Sequence, residues 1–207
     1  MTRLCIVRHG ETAWNAEHRV QGQLDVPLNA VGLAQAEAVG RALGGEKFDA
    51  IYSSDLSRAR QTAEPVSGLL GLPIELDPGL RERHYGIFQT LTYPEVRVRY
   101  AEDWARFERR DPLFSFRTGE SLEDFSQRSL SIVNRIARTH PGKHILIVTH
   151  GGVLNEIHRH IHNTPVSAPR DFRIPNCGIN RVVHDSGAWS IESWADVAHL
   201  EGALDDR

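Results

Sequence analysis

Two stretches of this chain follow the same course. Leu4-Cys5-Ile6-Val7 leads through Arg8 to His9-Gly10, and Ile145-Leu146-Ile147-Val148 leads through Thr149 to His150-Gly151-Gly152. Each apolar run is too short for a core helix and too continuous for a half-exposed strand, which predicts a buried parallel strand ending in an imidazole. Ligand sites of open α/β sheets lie at such carboxyl ends. If the two strands are neighbours, about 4.8 Å apart, His9 and His150 converge on one small group. The glycines behind them let backbone and helix amides approach that group closely, which is the layout of a site that handles an anion.

The remaining patterns alternate between strand and helix. Leu33, Ala34, Ala36, Ala38, Val39, Ala42 and Leu43 suit a helix over about 29–43, ended by Gly44-Gly45. Residues 48–53 read as a strand, Asp55 as the cap of a helix over about 56–70 with Gly71 beyond it, and 74–76 as extended chain. Tyr93, Tyr100, Trp104 and Phe107 recur at helical spacing within 92–110, so 86–120 is expected to be an excursion folded over something. A helix over about 121–139 opens on Ser121-x-x-Asp124. The His150 run leads to a helix over about 151–162 and two late strands near 180–184 and 188–194. No linker, repeat or low-complexity tract divides the chain, so 1–207 is expected to form one domain.

Composition narrows the partners. A net charge of -3 and a pI near 6.4 supply no basic field for nucleic acid or an anionic membrane. The N-terminus enters a strand almost at once and no apolar run approaches membrane-spanning length, so a cytoplasmic protein is expected. Cys5 and Cys177 belong to no CxxC and read as separate thiols rather than a disulfide or metal clamp. His158 and His162 stand one helical turn apart without a third ligand, so packing is the expected role. The tryptophans, Trp14 among them, are expected in cores. There is no P-loop and no GxGxxG to handle a nucleotide.

Three segments carry chemistry. In Arg8-His9-Gly10-Glu11-Thr12 a planar cation stands beside a candidate nucleophilic imidazole. In Ser54-Asp55-Leu56-Ser57-Arg58-Ala59-Arg60 a strand end runs into a helix. Residues two apart cannot share a helix face, and Arg58, nearer the helix start, is the better anion ligand. In Arg81-Glu82-Arg83 a carboxylate between two arginines reads either as a surface ion cluster or as a proton donor to a leaving oxygen. The second reading needs partial burial to offset the arginines.

Taken together and in order, Arg8 to Thr12, Asn15, Arg19-x-Gln21-Gly22 with Asp25, Ser54-x-Leu56-x-Arg58-Ala59-x-Gln61-Thr62, Glu82 and His150-Gly151-Gly152 resemble the histidine phosphatase superfamily, in the branch containing cofactor-dependent phosphoglycerate mutases. The resemblance runs over about 3–184. It implies a three-layer α/β/α sandwich with a mostly parallel central sheet and a helical cap. It also implies a covalent phosphohistidine on His9, a phosphate pocket of Arg8, Arg58 and His150, substrate binding by Asn15, Gln21, Gly22 and Gly151, and Glu82 as acid and then base, with no cofactor and no metal. The expected partner is a small-molecule phosphate ester, and the resemblance allows a homodimer. The 86–120 excursion lacks a long basic insertion, Gln21 stands where true mutases tend to carry threonine, and Gln89-Thr90 replace a usual acidic residue and glycine. Phosphomonoester hydrolysis is therefore the expectation and a phosphoglycerate mutase the alternative. A non-catalytic phospholigand-binding protein is less consistent with the presence of both His9 and Glu82.

Overall fold

The computed structural model describes residues 1–200. Residues 201–207, the end of the expected domain range, lie outside the described residues. The chain forms β1 (Thr2–Arg8), α1 (Ala13–Ala16), α2 (Ala30–Leu43), β2 (Ala50–Ser53), α3 (Ser57–Leu70), β3 (Ile74–Leu76), α4 (Tyr93–Arg99), α5 (Ala101–Glu108), α6 (Leu122–Thr139), β4 (His144–Thr149), α7 (Gly151–Ile161), β5 (Ile179–Asp185) and β6 (Ala188–Asp196). The strands make one six-stranded sheet in the order β3-β2-β4-β1-β5-β6. The β3, β2, β4 and β1 neighbours are parallel, and β5 runs antiparallel to both β1 and β6.

The continuous apolar runs of β1 and β4 follow from burial on both faces. Leu4, Ile6, Ile145 and Ile147 join one core with Phe125, Ile132 and Ile136 of α6 and Val153, Leu154 and Ile157 of α7. Cys5, Val7, Leu146 and Val148 join the other with Val39 and Leu43 of α2 and Ala59, Ala63 and Val66 of α3. The result is a three-layer α/β/α sandwich with a mostly parallel sheet. No described helix is long and apolar enough to cross a membrane. The chain leaves β1 for the face covered by α2 and leaves β4 for the face covered by α7, although β1 and β4 are adjacent. Helices that depart in opposite directions open a crevice at the carboxyl ends of their strands.

The aromatic spacing in 92–110 gives two helices rather than one. The chain breaks at Tyr100, which has φ -134° and ψ 54°. Val20, Phe88, Val96, Phe114 and Phe116 form a separate small core there, with Tyr85, Tyr100, Trp104 and Phe107 packed against it. This excursion lies over the open end of the crevice, where Tyr85 and Tyr93 line the same cavity as His9. Trp189 and Trp194 pack on the main core. Trp14 departs from expectation, because it lines the cavity above β1 instead of a core.

Candidate active site

Register brings the two histidines together. Arg8 pairs with Thr149, and the His9 N–H donates to the Thr149 carbonyl at 2.9 Å. The imidazole centroids are 5.1 Å apart. His9 Nδ1 lies 2.7 Å from the Gly10 carbonyl oxygen, and since that oxygen can only accept, the ring proton sits on Nδ1 and Nε2 presents a lone pair. Burial, with Arg58 and Arg8 close by, holds the His9 pKa well below 6.5. The ring is neutral at pH 7, as a nucleophile must be.

His150 is the N-cap residue of α7 and is fully buried. Its Nε2 stands 2.8 Å from Ser54 Oγ, while that hydroxyl accepts the Leu56 N–H at 3.3 Å. With its acceptor side engaged, Ser54 can donate to Nε2, which puts the His150 proton on Nδ1. Nδ1 is buried with no hydrogen-bond partner among the described residues. Burial first, then Arg58 and His9, keep the His150 pKa well below 6.5.

Arg58 lies in the first turn of α3 and is almost wholly buried, whereas Arg60 forms an exposed pair with Glu64. The Arg58 guanidinium is clamped by the carbonyls of Leu24 at 2.8 Å and Gly22 at 2.7 Å. Its Nε is buried with no partner among the described residues. Burial lowers the pKa to about 10, partly offset by Glu82 and Asp25, so the group keeps its charge at pH 7. The same upstream loop starts the helix. The N-cap residue is Leu56, which has no capping side chain, and the Asp25 carboxylate accepts the Ser57 N–H at 2.7 Å and its hydroxyl at 2.8 Å. Asp55, expected as the cap, sits one residue too early and instead grips Arg81 through two bonds of 2.7 and 2.5 Å.

Glu82 is freed from its flanking arginines. Side chains of successive extended residues point to opposite sides, so Arg81 turns to Asp55 and Arg83 to the carbonyls of Glu120 and Phe114. Both Glu82 oxygens accept backbone N–H groups, Oε1 from Arg83 at 2.7 Å and Oε2 from Gly152 at 2.9 Å. The second donor belongs to the first turn of α7, where the helix dipole favours an anion. Arg128 of α6 pins the loop by donating to the carbonyls of Gly79, Arg81 and Glu82 at 2.8, 2.9 and 3.2 Å.

Arg8, His9, Asn15, Gln21, Gly22, Arg58, Glu82 and Gly151 line one cavity of about 300 Å³, with His150 behind His9. Arg8 is oriented by a bond from Nη1 to the Ile174 carbonyl at 2.6 Å. Gln21 is buried, and its Oε1 has no partner among the described residues. Two of the substrate-binding assignments change in kind. Asn15 Oδ1 is committed to a capping box with Thr12, which leaves its Nδ2 to face a ligand. Gly22 acts through its carbonyl on Arg58, and at φ +55° it leaves no room for a Cβ, which would stand 2.1 Å from Gln89 Oε1.

Sequence reasoning passed over Arg128, Asn176 and the particular role of Gly152. Arg128 had a signal: it falls between Phe125 and Ile132 at the spacing of the buried stripe of α6, where an arginine needs a reason. Asn176 donates to the His9 carbonyl at 2.8 Å, and no pattern around it marked it. At Gly152 a Cβ would stand 2.0 Å from Glu82 Oε1. Gly152→Ala should therefore displace the carboxylate and lower kcat by about 100-fold, the cost typical of a roughly 1 Å misplacement. An unchanged kcat in a folded Gly152→Ala protein would show that the position of Glu82 is not critical.

Other expectations resolve as packing. Cys5 and Cys177 are both free and buried, and burial pushes the Cys5 thiol up to about 12. His158 stacks on Phe172 at 3.6 Å. Among the described residues no group of three His, Cys, Asp or Glu side chains could hold a metal. Of the cap arginines, Arg97 pairs with Glu108 and Arg106 with Asp111 in exposed positions. Of the six arginines in 86–120, Arg97, Arg99, Arg106, Arg109, Arg110 and Arg117, Arg110 alone lines a second cavity of about 620 Å³, which shares Arg8, Tyr85, Tyr93 and Gly151 with the first.

The histidine phosphatase superfamily (branch 1) matches residues 4–197. A metal-independent phosphoserine phosphatase of Arabidopsis thaliana is 39% identical over 203 residues, covering 97% of this chain and 84% of that protein. A probable phosphoglycerate mutase, GpmB, of Escherichia fergusonii is 36% identical over 218 residues, covering 100% of this chain and 99% of that protein. Among solved structures, a mutant phosphoserine phosphatase from Entamoeba histolytica in complex with phosphoserine superposes with a TM-score of 0.87 at 27% identity, covering 97% of this chain and 100% of that one.

Proposed function

The chain belongs to branch 1 of the histidine phosphatase superfamily and is a metal-independent phosphomonoester hydrolase, and from that premise we propose that it works by two phosphoryl transfers through a phosphohistidine on His9. The observation that carries this reading is the His9 tautomer. A proton fixed on Nδ1 by the Gly10 carbonyl aims an unprotonated Nε2 into a cavity lined by Arg8 and Arg58.

In the first transfer the Nε2 lone pair forms the N–P bond as the ester P–O bond breaks, and Glu82 gives its proton to the departing oxygen. In the second, water forms a new P–O bond as the N–P bond breaks, the water proton passes to the Glu82 carboxylate, and inorganic phosphate leaves. Nδ1 keeps its proton throughout, so the phosphorylated ring is an imidazolium and a good leaving group. Arg8, Arg58 and the His150 Nδ1–H hold the phosphoryl oxygens. Phosphoryl transfer needs positioning and charge stabilisation more than covalent help, and these groups, Arg58 and His150 buried and Arg8 half-buried, are oriented before a substrate arrives. Asn15 and Gln21 add donors at the rim, and Gly22 holds Arg58.

The substrate is a small phosphorylated metabolite, handled by a cytoplasmic protein with no nucleic-acid or membrane partner, and light scattering would decide between monomer and homodimer. Hydrolysis of a panel of phosphate esters, followed by release of free phosphate, should survive exhaustive chelation with EDTA, because the site is built from arginines and histidines rather than carboxylates. Activity lost with EDTA and restored by a divalent ion would overturn the mechanism. The same assay with 3-phosphoglycerate and a bisphosphoglycerate primer separates the mutase alternative, which requires interconversion faster than phosphate release.

A further inference from the structure

One buried carboxylate beside the reaction centre takes no part in the two transfers. Glu156 of α7 is 1% exposed. Its Oε1 accepts from Asn155 Nδ2 at 2.8 Å, the Ser126 hydroxyl stands beside the carboxylate, and Oε2 makes no close hydrogen bond among the described residues. A buried anion with an unused acceptor is costly unless something answers it. Glu156 lines the second cavity together with Gly151 and Gly152. Residues four apart share a helix face about 6 Å apart along the axis, and helical side chains lean toward the N-terminus. Glu156 therefore leans over Gly152, the residue whose N–H holds Glu82 and which has no side chain of its own in the way. Whatever is attached to the ester oxygen that Glu82 protonates comes within one helical turn of Glu156.

We propose that Glu156 is a specificity residue of the leaving-group subsite, taking at Oε2 a protonated amine carried on the second carbon from the ester oxygen. The cavity then prefers amino-bearing phosphate monoesters to their hydroxyl analogues. The proposal rests on the phosphatase reading above. An ammonium suits the site better than a hydroxyl, because a charge-assisted hydrogen bond is about twice as strong as a neutral one. Burial raises the Glu156 pKa while hydrogen bonds from Ser126 and Asn155, and then the charges of Arg159 and Arg110, act against that rise, and a bound ammonium would strengthen the ionised form further. Arg110 and Arg170 in the same wall leave room for an anionic group on the same leaving group, so an α-amino acid also fits.

O-Phosphoethanolamine and 2-hydroxyethyl phosphate are achiral and differ only in carrying an ammonium or a hydroxyl on that second carbon. The wild-type protein should favour the amine by about 10- to 100-fold in kcat/KM, the range of a hydrogen bond to a charged group. In Glu156→Gln the ratio should collapse toward unity, with the loss falling on the amine and chiefly in KM. Should Glu156→Gln fail to fold by circular dichroism, Glu156→Asp, which draws the charge back by one methylene, must lower the ratio instead. Equal wild-type rates, a preference for the hydroxyl ester, or a ratio retained in the folded variant would overturn the proposal. Failure of the wild-type protein to hydrolyse p-nitrophenyl phosphate would instead count against the phosphatase reading beneath it.

Discussion

Replacing His9 by alanine is expected to abolish the trapping of phosphate on the protein and to lower kcat/KM for every phosphate monoester by about 10⁴-fold or more, the scale seen when a nucleophile is removed. The size follows from the mechanism, since without Nε2 no N–P bond forms and the pocket can only hold the ester while bulk water attacks. Brief reaction of the wild-type protein with labelled ester and an alkaline quench should leave acid-labile label on the chain, and His9→Ala should leave none. The substitution opens a small polar space at the end of β1, and the strand pairing there runs through the backbone, His9 N–H to Thr149, so the fold should survive. Loss of His150 or Arg58 would also slow the reaction, but label would still accumulate. Label that persists without His9 would move the covalent centre elsewhere.

The reach of the sequence tracks how local each cause is. That β1 and β4 are strands buried on both faces, each ending in a histidine, is legible from four unbroken apolar residues, whereas their adjacency, on which the meeting of His9 and His150 depends, comes only with the pairing of the sheet. Ser121 capping α6 was equally local. The choice of Arg58 over Arg60 followed from helical geometry alone. The misread features depend on distant partners. Asp55 looked like a cap because nothing in its neighbourhood reveals that Asp25, thirty residues upstream, reaches Ser57. On its own segment the Arg81-Glu82-Arg83 run fits an ion cluster as well as a proton donor, because the partners that separate them, Asp55, Gly152 and the carbonyls of Phe114 and Glu120, come from other segments. The cap reads as helical from its aromatic spacing, yet the cavity it makes with α7, and Glu156 within it, exists only once both are packed. Glu82 stands out on its own segment as a possible proton donor, and the family resemblance favours that reading over the ion cluster.

Glu82→Gln is expected to slow hydrolysis of an alkyl phosphate by about 10² to 10⁴-fold, the usual contribution of a general acid, and to slow formation of the phosphoenzyme from p-nitrophenyl phosphate far less. An alkoxide needs a proton to depart, whereas nitrophenolate leaves readily without one. The substitution is not purely chemical. Both carboxylate oxygens accept backbone N–H groups, from Arg83 and Gly152, and an amide can match only one of them. Misplacement of that kind burdens every ester alike, so the diagnostic quantity is the ratio of the two losses rather than either loss alone. The nitrophenol released in the first turnover must be measured, because Glu82 also activates water in the second transfer and the slowed second step would level the steady-state rates. Two other candidate carboxylates, Glu11 near His9 and Asp77 near Glu82 in sequence, are committed elsewhere: Glu11 accepts from Asn29 at 2.7 Å, and Asp77 holds Gly79 and Arg135. Neither lines the cavity that contains His9. Equal losses for both leaving groups in the burst would reduce Glu82 to a residue that positions α7 against the loop. The proton would then have to come from solvent through the open side of the cavity.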